Sequence, residues 1–177
     1  GVLTDAGGWL TERGRAQARA LGESLTGARV AAAYSSAQTR AQRTGEIAAD
    51  VLGVRHTVVA GLQEFSVGSL ASRPGRDPAV REVFSRWDSG DLGAGCPGGE
   101  TGLDVVDRVG AAIAALADRH RGETVLVVTH GGAMRLTLAS RLTNARFTDW
   151  IGRSPAHCEV VAIDVDSDGW RLVSEQA

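Results

Sequence analysis

Apolar residues fall in two rhythms along this chain. Residues 124–128, TVLVV, form a Val-rich run closed by Thr129, His130, Gly131 and Gly132, and such a short run with turn residues beyond it predicts a buried parallel strand. Residues 30–34 and 56–59 predict two further short strands. Segments with a helical rhythm lie around them. Residues 11–25 start at Thr11 as N-cap, and residues 37–52 follow Ser35 and Ser36, which read as the cap of that helix. Asp77 and Pro78 open a helix reaching Trp87, cap first and proline at the first helical position. Residues 100–120 bring Val105, Val109, Ile113 and Leu116 onto one face, and residues 133–142 follow the paired glycines. Residues 159–165 and 170–174, joined by the short turn 166–169, predict an antiparallel closing pair.

Three stretches show no period. Residues 61–76 carry glycines, serines and a proline and predict a loop of the length that tends to be functional. Residues 90–99 are a glycine-rich turn region, and residues 1–8 are loop-like. Strands alternating with helices predict an α/β fold, a three-layer sandwich with a mainly parallel central sheet and helices on both faces. At 177 residues and 43% hydrophobic content, the chain suits one domain spanning residues 1–177.

Charge narrows the partners. The net charge of -2 excludes a basic footprint for nucleic acid or a polybasic membrane patch. All 19 positive charges are arginines, so guanidinium forks and histidines are the cations available for an anion, and no Schiff-base or Walker lysine exists. No window reaches the roughly 18 apolar residues of a membrane span. Cys96 and Cys158 lack metal-like or redox-like spacing and read as reduced thiols of a cytoplasmic protein. No cluster of Asp, His or Cys has ligand spacing, so neither a metal nor another cofactor is expected. Trp9, Trp87, Trp150 and Trp170 suit either the core or the mouth of a site.

The candidate chemistry sits at strand ends. His130 closes a predicted parallel strand, where α/β sheets place their ligands, and Gly131 opens the next helix with backbone N–H groups suited to a phosphate. Arg40 falls in the first turn of the helix after the strand 30–34, at the same sheet edge if the two strands are parallel neighbours. Taken singly, His130 also reads as an ordinary polar residue, Arg40 as a solvated arginine and Glu64 as a surface glutamate.

The motifs together carry more. Leu10-Thr11-Glu12-Arg13-Gly14, Ser35-Ser36-Ala37-Gln38-Thr39-Arg40-Ala41, Leu62-Gln63-Glu64, Pro97-Gly98-Gly99-Glu100-Thr101 and Thr129-His130-Gly131-Gly132 resemble, in order and spacing, the histidine phosphatase superfamily of phosphoglycerate mutase-like enzymes. The resemblance implies that Arg40 and His130 bind phosphoryl oxygens and that Glu64 is the general acid and base. It adds the Gly131 N–H as a further phosphate contact, whereas Glu100 and Arg108 read as structural, in a turn and on a solvated helix face. The family's Arg-His-Gly nucleophile motif, at the end of its first strand, is absent from the sequence. None of His56, His120, His130 and His157 has that context. The expectation is therefore a missing upstream segment carrying both the nucleophile and the central strand.

The function this implies is a phosphomonoesterase of the histidine acid phosphatase type, acting through phosphohistidine on a small phosphorylated metabolite. A homodimer is left open. Phe65 and Ser66 replace the Arg and Tyr that follow the glutamate in the resembling mutases, and Ala71-Ser72 replaces their Glu-Gly. Two alternatives stand: phosphoglycerate mutase-type transfer, and a phosphate-binding module without turnover.

Overall fold

The computed structural model describes residues 8–176. Helix α1 (Glu12–Ser24) is capped by Thr11, whose hydroxyl accepts the Gly14 N–H. It leads into β1 (Val30–Ser35), α2 (Thr39–Leu52) and β2 (His56–Val58). After a long loop holding a 3₁₀ turn at Gly68–Leu70 come α3 (Pro78–Asp88) and α4 (Gly102–Arg119). The chain continues through β3 (Thr124–Val128), α5 (Gly131–Arg141), α6 (Phe147–Ile151), β4 (Val160–Asp166) and β5 (Gly169–Gln176). The loop-like segment expected over residues 1–8 lies, apart from Gly8, outside the described residues.

The sheet is parallel at its centre, in the order β2-β1-β3, and β4 and β5 form a separate antiparallel pair. Alternation across β1 builds two layers. Ser35 faces α2, where a Cβ on Gly45 would stand 3.1 Å from it, while Ala32 and Tyr34 pack with Leu116 of α4 on the other face. β1 is fully buried from Ala32 onward, whereas β3, with a partner on one side only among the described residues, is half-buried. The predicted inner face of α4 holds: Val105, Val109 and Leu116 are buried, and Ile113 packs against the core.

Helix starts depart from expectation in two places. α2 begins at Thr39 with Gln38 as N-cap; Ser35 and Ser36, read as caps, bond His56 and His130, and the Ser36 hydroxyl also accepts the Gln38 N–H at 3.3 Å. α5 begins at Gly131, two residues before the expected start, which makes His130 its N-cap. The short α6 has no counterpart in the sequence reading; it comes from Arg146 and Asp149, whose side chains bond across its first turn. Asp77 caps α3 as expected, accepting the Ala79 N–H at 3.0 Å.

The main core centres on Trp87. Its ring meets Phe65 edge-on at 5.1 Å and stacks with Phe84 at 5.6 Å, and its Nε1–H donates to the Ala94 carbonyl at 2.8 Å. Trp150 and Trp170 are also buried, while Trp9 is exposed beneath the Arg43 guanidinium. Trp87→Ala should cost about 3–5 kcal/mol through cavity formation, read as a lower urea midpoint. A loss below about 1 kcal/mol would show that the aromatic cluster does not anchor the core.

Candidate active site

Parallel pairing of β1 with β3 places Ser35 opposite Val128, and the Ser36 N–H donates to the Val128 carbonyl at 3.1 Å. Both strands therefore end at one edge. Just beyond it the Ser36 hydroxyl meets His130 Nε2 at 2.6 Å, and both side chains are buried. Burial, with the Arg40 and Arg108 guanidiniums as secondary causes, pushes His130 from 6.5 down to about 3. At neutral pH the imidazole is uncharged. Arg40, in the first turn of α2 as expected, is half-buried and donates from Nη2 to Gln38 Oε1 at 3.3 Å.

Glu64 reaches the same place from the long loop. Its carboxylate accepts the Gly132 N–H at 3.0 Å and the Ala133 N–H at 2.7 Å, occupying the positive start of α5. Its own N–H donates to Gln38 Oε1 at 3.2 Å, so Gln38 joins Glu64 to Arg40. Arg40, Glu64 and His130 thus gather around the carboxyl edge of β1 and β3. The Gly131 N–H has no acceptor among the described residues, and its residue is exposed. Gly132 has to be glycine: a Cβ there would lie 2.4 Å from the Phe65 ring and 2.7 Å from Glu64 Oε1.

Arg108 is not on a solvated face. Its Nε and Nη2 grip Glu100 at 2.5 and 2.8 Å, Nη1 donates to the carbonyls of Gly61 and Gln63, and Nη2 donates to that of Glu64. Glu100 Oε2 also accepts the Ser66 N–H at 2.8 Å. The sequence held one signal for this role: Arg108 stands three residues after Val105 and four before Ala112, inside an apolar stripe where an arginine needs partners. Nothing local marked Glu100 as that partner.

The other histidines have different surroundings. His56 bonds Ser35 Oγ at 2.8 Å, His120 joins Tyr34 and Glu123, and His157 is exposed. Neither cysteine forms a disulfide among the described residues. Among the described residues no group of three or more His, Cys, Asp or Glu could hold a metal ion, and no helix is long and apolar enough to cross a membrane.

A parallel α/β sheet with arginine, histidine, carboxylate and a helix start at its carboxyl edge defines an anion-binding protein of the phosphoryl-handling kind. Residues 4–177 match the histidine phosphatase superfamily (branch 1), and the chain belongs to that family. It is 29% identical over 167 residues to the "Probable phosphoglycerate mutase GpmB" of Salmonella choleraesuis, covering 91% of this chain and 75% of the relative. It is 36% identical over 141 residues to a metal-independent phosphoserine phosphatase of Arabidopsis thaliana, covering 77% of this chain and 59% of the relative. Among solved structures, Bacillus stearothermophilus YhfR superposes with a TM-score of 0.76 at 27% identity, covering 95% of this chain and 86% of that one. The Shigella flexneri α-ribazole phosphatase shares the fold at a TM-score of 0.79 and 24% identity, covering 100% and 89%.

Two outcomes test this geometry. Between pH 6.5 and 4 the unfolded chain protonates His130 and the native one does not, so native stability falls with pH at about 1.4 kcal/mol per unit, or roughly 3 kcal/mol in all. His130→Gln should flatten that part of the stability profile in urea titrations, and an unchanged profile would contradict a neutral buried imidazole. Gly132→Ala should lower the melting temperature and weaken vanadate binding together, because Phe65 and Glu64 must both move to admit the methyl group.

Proposed function

We propose that the protein is a phosphomonoesterase of the histidine acid phosphatase type, working through a phosphohistidine intermediate on a small phosphate ester. The observation that carries this reading is the gathering of Arg40, His130 and Glu64 at one sheet edge beside the unengaged Gly131 N–H. In it, the Arg40 fork and the Gly131 N–H take phosphoryl oxygens. His130 gains a proton as the dianion enters and donates to it, strengthening as charge builds in the transition state.

The attacking imidazole forms a P–N bond while the P–O bond to the alcohol breaks. The leaving oxygen takes a proton from Glu64. Water then attacks phosphorus, gives its proton to Glu64, and the P–N bond breaks to release inorganic phosphate. Among the described residues His130 is the histidine bonded into this cluster, and the reading requires a second histidine as the nucleophile. Phe65 lies buried against Phe84 and Trp87, which supports hydrolysis over phosphoglycerate mutase-type transfer, because that position supplies no cation for a second acidic group. Among the described residues no second histidine bonds into the cluster, which favours one other reading, a phosphate-binding module without turnover.

The test is hydrolysis of p-nitrophenyl phosphate by the natural protein, with its intact mass compared against 18.4 kDa in the same preparation. The expected result is a larger mass, an acid-labile phosphohistidine outside residues 1–177, and turnover without a bisphosphate primer. Glu64→Gln should lower kcat by about 10²–10⁴ while vanadate still binds. A protein of 18.4 kDa that binds vanadate and hydrolyses nothing would establish the binding module instead.

A further inference from the structure

We infer that Arg108, with Glu100 behind it, is a positioning residue for the proposed reaction: without touching the substrate, it sets where Glu64 stands relative to His130. This rests on the reading of Glu64 as the proton donor.

A guanidinium has five N–H donors in a fixed fork, and all five of Arg108 are used. Three go to the carbonyls of residues 61, 63 and 64, which bracket Glu64, and two go to Glu100. Glu100 returns to the same loop by accepting the Ser66 N–H. The backbone on both sides of Glu64 is therefore pinned to α4, a helix fastened by a Thr101–Asp104 capping box. The loop is also laid closely on the turn around Pro97. A Cβ on Gly68 would stand 2.4 Å from the Pro97 carbonyl, and one on Gly99 would stand 2.3 Å from that of Ser66. Glu64 can then span the gap to α5 and accept the Gly132 and Ala133 N–H groups.

Arg108 also acts on the second partner directly. Its charge is one of the two that disfavour a proton on His130, so removing it changes His130 and Glu64 together. A lysine cannot substitute, because three donors on a point charge cannot serve three carbonyls and a bidentate carboxylate.

The test compares Arg108→Gln, Arg108→Lys and Glu100→Gln in the natural protein. Circular dichroism and melting report folding. Arg108→Gln should stay folded and lose about 10²-fold in kcat, the cost of a displacement near 1 Å, without a weaker KM. Arg108→Lys should recover part of that loss. Imidazole NMR should show His130 titrating at higher pH in Arg108→Gln, and the amide signals of Gly132 and Ala133 should shift as they do in Glu64→Gln. A variant that only melts earlier, with kcat, the pH–rate profile and these signals unchanged, would reduce Arg108 to a structural tie and overturn the inference. If the wild-type protein binds vanadate but hydrolyses nothing, the enzymatic reading fails on its own. The His130 titration and the two amide signals then decide whether Arg108 sets this geometry: movement supports it, and constancy overturns it.

Discussion

β1 and β3 lie side by side and run the same way, and the rest of the site is arranged around that pairing. Their register brings Ser35 level with Val128, so the two residues after each strand emerge at the same height. Ser36 and His130 then meet at hydrogen-bond distance, and the helices that follow both point their starts at the same edge. An antiparallel pairing of the same strands would have sent Arg40 and His130 to opposite ends of the sheet. With one edge chosen, two helix N-termini and a half-buried arginine concentrate positive potential where backbone N–H groups are exposed.

That concentration bears on the electrostatics of the site. Burial first, and then the positive charge of Arg40 and Arg108, act against a proton on His130. Glu64 lays its carboxyl group against the start of α5 and accepts two of its backbone N–H groups. The arginines nearby are mostly neutralised: Arg108 by Glu100, Arg135 by Asp88, and Arg153 by Glu159 and Glu175. Arg40 instead has a neutral amide, Gln38, as its hydrogen-bond partner, which leaves its charge available to a dianion.

Family membership and local departures carry different kinds of information. The match over residues 4–177 establishes the scaffold. The departures tell how this member uses it. Phe65, where the resembling mutases have an arginine, joins Phe84 and Trp87 in the core and packs against the position of Gly132. Phe65 is thus part of the wall beside the glutamate and the α5 start.

Much of the fold was legible in the chain because its signals are local. The Val-rich run of β3, the Thr11 and Asp77 caps and the short turn between β4 and β5 depend on residues within a few positions of one another. His130, Arg40 and Glu64 were legible as candidates through motif order, and Gly131 through its place at a helix start. Other features depended on contacts between distant segments. Ser36 was read as a cap and also bonds a histidine 94 positions away; Arg108 was read as solvated and instead binds carbonyls more than 40 positions away. The sequence by itself determined which elements form and which side chains can do phosphate chemistry, because backbone propensity and side-chain type are properties of short stretches. Only the tertiary structure decided who satisfies whom, because a buried hydroxyl or guanidinium takes whatever partner the packed sheet and helices bring within about 3 Å.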